Sequence, residues 1–205
     1  MIVLAGGRSS RLGKDKGLIV LNGRPLVRHV FDRIAGIVDE RIVVVRDQQQ
    51  LENFRQTLSS VDRFVCDSFS PRSALAGMMT GLSHATGEHS VVLPCDSPFV
   101  SPRLVEHLFD QIGGCDAMVP RWPYGYIEPL QSVYKVSSSF EIGKRLLAEG
   151  KNDFRSLIDA LGSVLYVPVE SLTSFSPELR TFFNVNNVED LEEATRLVGM
   201  EDLGE

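Results

Sequence analysis

The sequence is short of features that would place it in several familiar classes. Cysteine is scarce: Cys66, Cys95 and Cys115 stand far apart and form no C-x-x-C pair. Neither a zinc site nor a disulfide framework is supported, and each thiol sits in or beside an apolar strand-like run, which reads as buried and reduced. No apolar run approaches the ~20 residues needed to cross a bilayer. The opening apolar stretch runs directly into a cationic loop, unlike a secretory leader, so the expected compartment is the cytosol. A basic stripe is lacking too. The net charge is −6, which argues against a nucleic-acid track. The histidines show no ligand spacing.

Two common phosphate-binding fingerprints are also missing. A P-loop needs four residues between its first glycine and the Gly-Lys pair, followed by Ser or Thr. Here five residues separate Gly7 from Gly13, and Asp15 follows Lys14. The dinucleotide fingerprint fails because Gly6-Gly7-Arg8 has no G-x-G spacing.

What is present is concentrated in residues 1–16. A short apolar run ends in two glycines, then in a loop carrying Arg8, Arg11, Lys14 and Lys16 against Asp15 alone. Glycine lets backbone bend sharply and approach a ligand closely. A local basic loop on an acidic chain predicts a small anionic ligand, phosphate first.

Strand-like and helix-like stretches alternate along all 205 residues, and the 43% hydrophobic content suffices for one compact core. The pattern predicts a single α/β domain over 1–205, with a mostly parallel central sheet and helices on both faces. Strands are expected at 1–5, 41–45, 63–66, 90–95, 116–120, 131–136 and 164–169. Leu26, Val27, Val30, Phe31 and Ile34 mark one helical face, with Pro25 in its first turn. Leu104, Val105, Leu108, Phe109 and Ile112 mark another. Further helices are expected at 51–58, 74–85, 140–148 and 154–161, and a last one is capped by Asn187 with Glu189 and Asp190 in its first turn. Asn22-Gly23 signals a tight turn. Residues 48–50 read as a polar loop or helix start, 121–126 as a loop and 171–178 as irregular; Met78-Met79 reads as core.

In open α/β sheets, ligands bind at the carboxyl ends of strands. At one such end, Val91-Val-Leu-Pro-Cys-Asp-Ser-Pro-Phe99 sets Asp96 between Pro94 and Pro98. A hard oxygen ligand there suits Mg²⁺ bridging triphosphate oxygens, although Asp96 could instead cap the helix after Ser101-Pro102. Asp67 ends another strand. Phe182-Phe-Asn184-Val-Asn186-Asn187 offers amides that reach a metal or second substrate, or only shape a turn. Trp122, Tyr124 and Tyr126 could stack on a flat ring or pack their own loop.

Leu4-Ala5-Gly6-Gly7, Arg11-Leu12-Gly13 and Asp15-Lys16 together resemble the signature loop of the molybdenum cofactor guanylyltransferases (the MobA family), written L-A-G-G-x-S-x-R-M-G-x-D-K, with Leu12 in place of Met. The Pro94-to-Phe99 segment resembles that family's P-C-D-x-P-[FY] element, and Phe182-to-Asn186 its F-x-N-x-N element. Glu128-Pro129-Leu130 with Tyr134 resembles its [HE]-P-L-x-x-x-Y stretch. Ser73-Ala74-Leu75-Ala76-Gly77 departs from the usual G-P-L-A-G at its first two positions.

The resemblance implies a Rossmann-like nucleotidyltransferase that transfers GMP from GTP to the phosphate of molybdopterin and releases pyrophosphate, with Mg²⁺ as cofactor. It implies nucleotide contacts from Leu4, Ala5, Gly6, Gly7, Lys16, Asp67 and Asp96. Arg11, Lys16 and Asp96 take catalytic roles, with Asp96 on the metal. Glu128, Asn184 and Asn186 fall on the acceptor side. Expected partners are the two small substrates and transient contacts with other molybdenum cofactor biosynthesis proteins, with no nucleic acid or membrane. A cytidylyltransferase for the same pterin, a corrinoid guanylyltransferase, a sugar-phosphate enzyme and a non-catalytic GTP-binding protein stay open; Gly6 favours guanine, since the cytidylyl form usually reads L-A-A-G.

Overall fold

The computed structural model describes residues 1–6 and 15–201. Four strands whose residues alternate between two apolar faces run side by side and parallel: β1 (Ile2–Leu4), β4 (Ile42–Val45), β5 (Arg63–Cys66) and β6 (His89–Pro94). Beyond β6 lie β7 (Ala117–Arg121), β8 (Ser132–Lys135) and β9 (Val164–Pro168), giving the order β5-β4-β1-β6-β8-β7-β9. Only β8 runs antiparallel to its neighbours, so the mostly parallel sheet expected from the sequence is present.

Period-two alternation divides the core into two layers. Val3, Val43, Val45, Val91 and Leu93 face one side, where α1 (Leu26–Ile34), α2 (Gln48–Thr57) and α4 (Pro102–Gln111) cover them. Ile2, Ile42, Val44 and Val92 face the other, under α3 (Ala74–Leu82), α5 (Val136–Ala148) and α6 (Phe154–Ala160). Helices thus cover both faces. Met78 and Met79 are fully buried, as expected of core. Gly81 faces Ile2 so closely that a Cβ there would lie 2.5 Å from its Cγ2. Hence α3 sits tight on β1.

A third cluster fixes the chain's last helix. Ile19 and Leu21, beside the short hairpin of β2 (Val20–Leu21) and β3 (Arg24–Pro25), pack with Phe99, Val185, Ala194 and Leu197. Asn22 (φ 46°) and Gly23 (φ 77°) form the hairpin turn, both in the left-handed region a two-residue connection demands. Helix α7 (Val188–Glu201) begins at Asn187, whose Oδ1 accepts from the Asp190 N–H at 2.8 Å.

Boundaries differ where side chains outvote periodicity. Of the two readings of Gln48–Gln50, polar loop or helix start, the second holds and lengthens the helix expected at 51–58: Asp47 caps α2 by accepting from the Gln50 N–H at 2.9 Å. Helix α5 starts at Val136, directly off β8, rather than at 140. Pro25 precedes α1 instead of lying in its first turn. The segment read as irregular contains short 3₁₀ turns at Val169–Leu172 and Pro177–Phe182. It is tied down by Thr181, whose Oγ1 accepts from the Ser101 N–H at 3.1 Å and donates to Gln131 Oε1 at 2.7 Å. The cysteines are all free, but only Cys95 is buried; Cys66 and Cys115 are half-buried, which corrects the expectation of three buried thiols.

Gln50 is the buried polar group that matters most to the site. Its Nε2 donates to the Ala5 carbonyl at 2.8 Å and its Oε1 accepts from the Arg46 N–H at 2.6 Å, fastening the exits of β1 and β4. Gln50→Leu would strand both backbone groups. It is expected to destabilise the protein by roughly 1–3 kcal/mol in urea unfolding. A loss under 0.5 kcal/mol (about the scale of an ordinary surface change) would show the bonds to be dispensable.

Candidate active site

The carboxyl ends of β5, β4, β1 and β6 form the floor of an open cavity of about 430 Å³. Leu4 and Gly6 reach it from β1, Val44, Val45 and Arg46 from β4, Asp67 from β5, and Pro94, Cys95 and Asp96 from β6. The start of α3 supplies Ser73, Ala74 and Gly77, and Leu130 closes the far side before β8. Arg46, Asp67 and Asp96 stand at strand ends for the same reason: the apolar run stops where the sheet meets solvent.

Lys16 and Asp96 are 80 residues apart in sequence and meet here, with Nζ 3.0 Å from Oδ2. Lys16 also donates to Asn186 Oδ1 at 2.7 Å. The Asp96 carbonyl accepts from the Val185 N–H at 2.9 Å, so the asparagine segment lies alongside the Asp96 turn. Ser97 Oγ donates to Asn184 Oδ1. Asp96 does not cap α4; Ser101 does, accepting from the Leu104 N–H at 3.3 Å. The carboxylate is thus held at the cavity without a structural duty in that helix.

Of the other expected nucleotide contacts, Leu4, Gly6 and Asp67 line the cavity. Ala5 is buried beside it, with its carbonyl engaged by Gln50. A Cβ on Gly6 would meet Arg46 N at 3.7 Å, an ordinary contact, so packing within the protein does not require glycine there. Gly7 and Arg11 lie outside the described residues. Asp67 Oδ1 accepts from Thr80 Oγ1 at 2.8 Å and from the Phe69 N–H at 3.2 Å, which fixes its orientation from α3.

Glu128 is apart from the cavity lining, although Leu130, two residues on, belongs to it. Trp122 Nε1 donates to Glu128 Oε1 at 2.8 Å, and the indole meets Phe182 edge-on at 6.0 Å. Trp122 is thus engaged in packing its loop, whereas Tyr124 (85% exposed) and Tyr126 (61%) project outward. Burial pushes the Glu128 carboxyl upward in pKa, partly opposed by the Trp122 hydrogen bond. A carboxyl raised on folding contributes stability below its ordinary pKa and loses it as pH rises through the folded value. Glu128→Gln keeps an acceptor and removes the ionisation. It should therefore raise the thermal midpoint at pH 7.5, with the gain vanishing near pH 4 (about the ordinary glutamate value). An equal gain at both pH values would contradict this assignment.

Arg46 carries no motif signal and was not singled out by the sequence. Its guanidinium bonds Asp15 Oδ1 at 3.2 Å and Asp47 Oδ2 at 2.9 Å, at 14% side-chain exposure. It ties the end of the first loop, next to Lys16, to the exit of β4. The Val43-Val44-Val45-Arg46-Asp47 order, a strand ending in a charge pair, was the available clue.

Among the described residues no three His, Cys, Asp or Glu gather into a metal cage. One carboxylate flanked by amide and hydroxyl oxygens still fits a hard cation that takes most of its ligands from water and phosphate, as Mg²⁺ does. Asp96 is the residue that would hold it.

A mostly parallel sheet with a cation and a carboxylate converging on a cavity across its strand ends is the ligand site of an open α/β fold, suited to a phosphate-bearing ligand, and the family comparison places it among the NTP transferases. The model of the MobA-like NTP transferase domain matches residues 1–164, and the chain belongs to that family. A probable molybdenum cofactor guanylyltransferase of Methanosarcina mazei is 37% identical, the match covering 93% of this chain and 87% of the relative. One from Methanothermobacter thermautotrophicus is 32% identical over 92% and 95%. The crystal structure of molybdopterin-guanine dinucleotide biosynthesis protein A from Archaeoglobus fulgidus superposes with TM-score 0.83 at 31% identity, covering 97% of this chain and 98% of that one. No helix among the described residues is long and apolar enough to cross a membrane.

Proposed function

We propose that this protein transfers GMP from GTP to the terminal phosphate of molybdopterin, forming the guanine dinucleotide and pyrophosphate. The observation that carries the reading is the meeting of Lys16 and Asp96 at 3.0 Å on the wall of the strand-end cavity. The relatives named for guanylyl transfer and for molybdopterin-guanine dinucleotide biosynthesis support GTP and the pterin as the substrates.

The cavity's layout suggests an order of parts. The nucleotide lies across β5, β4 and β1, with the backbone of Leu4, Ala5 and Gly6 and the Asp67 carboxylate beside its base and sugar. Lys16 meets the phosphates at the β1–β6 side, and Arg11 and Gly7, outside the described residues, are assigned to the same phosphates by the family motif. Glu128, Asn184 and Asn186 lie on the acceptor side, beyond Asp96. The acceptor phosphate attacks the α-phosphorus in line, forming the new P–O bond as the bond to pyrophosphate breaks. That phosphate is already ionised near neutral pH, so no general base is needed. Positioning and charge neutralisation suffice. Lys16 and Arg11 hold the leaving group, and Asp96 would hold Mg²⁺, which when bound neutralises charge on the phosphate oxygens.

Pyrophosphate release measured from GTP and CTP, each with molybdopterin and Mg²⁺, tests the reading. Turnover with GTP well above CTP is expected. A preference for CTP would reassign the base, and tight GTP binding without turnover would make this a binding protein.

A further inference from the structure

We infer that Arg72 reads the guanine base, donating from its guanidinium to O6 and N7, and that it sets the base preference of the cavity; this rests on the guanylyl reading above. Three observations lead to it.

Neighbouring strands lie ~4.8 Å apart, so the cavity floor from β6 to β5 spans roughly 14 Å. With triphosphate at the Lys16–Asp96 end, the base of an extended nucleotide falls over the β5 end. Arg72 lines the cavity there, in the loop joining β5 to α3.

The other polar side chains at that end are engaged. Arg46 is committed to Asp15 and Asp47, Asp67 to Thr80 and Phe69, and Ser73 Oγ caps α3 by accepting from the Ala76 N–H at 3.0 Å. Among the described residues, Arg72 has no hydrogen bond or ion pair; its charge is felt only at a distance, as one of the influences lowering the pKa of Asp47. An exposed cation with free donors therefore stands on the wall where the base must lie.

Chemistry selects the base. The guanidinium fork matches two adjacent acceptors, as O6 and N7 of guanine present. Adenine replaces O6 with an amine donor, and cytosine carries its adjacent acceptors, O2 and N3, on the Watson–Crick edge of a smaller ring, away from where a fork placed for a purine's O6 and N7 reaches. Leu4, Val44 and Ala74 give an apolar wall to the same cavity. The loop is also where the chain departs from the family's G-P-L-A-G pattern, at Ser73-Ala74, just after Arg72.

The test is calorimetric binding of GTP, ATP, CTP and 7-deaza-GTP, with Mg²⁺ at fixed salt, to the wild type, Arg72→Ala and Arg72→Lys. Arg72→Ala is expected to weaken GTP by about tenfold, in the range of a lost bidentate contact, and to change ATP and CTP by less than about threefold. Arg72→Lys keeps the charge without the fork and should lose GTP preference similarly. The 7-deaza analogue, lacking N7, should bind the wild type several-fold more weakly than GTP but bind Arg72→Ala equally well. Equal weakening of all three nucleotides, or a 7-deaza penalty that persists in Arg72→Ala, would overturn the role of Arg72 while leaving guanylyl transfer standing. A wild type with no preference for GTP would overturn that reading itself and this inference with it.

Discussion

Asp96→Asn is expected to lower GTP-dependent pyrophosphate release by about 10²–10³-fold, the scale seen when one preorganised electrostatic group is removed from a transition state. The substitution is nearly isosteric, so the turn after β6 should keep its shape: its backbone anchor, Asp96 carbonyl to Val185 N–H, is untouched. Lys16 retains the Asn186 amide oxygen as a partner. The thermal midpoint should therefore move little while turnover collapses, and the Mg²⁺ concentration needed for half-maximal rate should rise. Undiminished Mg²⁺-dependent release in Asp96→Asn or Asp96→Ala would remove Asp96 from the mechanism.

Lys16→Met is expected to cost turnover on a similar scale, about 10²-fold, by leaving the departing pyrophosphate without its cation. The methionine stem preserves much of the lysine's packing, so the effect reads charge. A fall in both kcat and kcat/KM is expected, because the leaving group gains charge only as the reaction proceeds. Combining Lys16→Met with Asp96→Asn should cost less than the product of the single losses, since the two groups touch and serve the same phosphates. Strict multiplicativity would mean that they act on separate steps.

Much of the fold was legible because burial on two faces forces a simple code. Residues 42–45 and 91–94 are continuous apolar runs, as strands covered on both sides must be, and the strands expected at 41–45 and 90–95 match β4 and β6 to within one residue at each end. Helices α1 and α4 were visible from the 3.6-residue spacing of Val27, Val30 and Ile34, and of Leu104, Val105 and Leu108. Ends were less legible where a single hydrogen bond decides them. Asp47 moves the start of α2 back to Gln48, and nothing in the periodicity of residues 51–58 announces it.

The site divides along the same line. Asp67 and Asp96 stood out because each charge follows an apolar run at a strand end, and Lys16 because it belongs to the cationic opening loop and its family motif. Arg46 and Gln50 did not: a guanidinium between two carboxylates and a buried amide bridging two strand exits are relations among segments 31 and 45 residues apart.

By itself the sequence determined the alternating α/β pattern, the cationic glycine-bearing opening stretch and the carboxylate at the end of β6, because periodicity and local charge are properties of neighbouring residues. Tertiary structure alone decided that Lys16 and Asp96 share one cavity, with Asn186 bonded to Lys16, and that Arg46 is locked while Arg72 has no partner among the described residues. Strand order brings those groups together, and strand order follows from how two apolar faces are buried at once, which no local stretch of chain encodes.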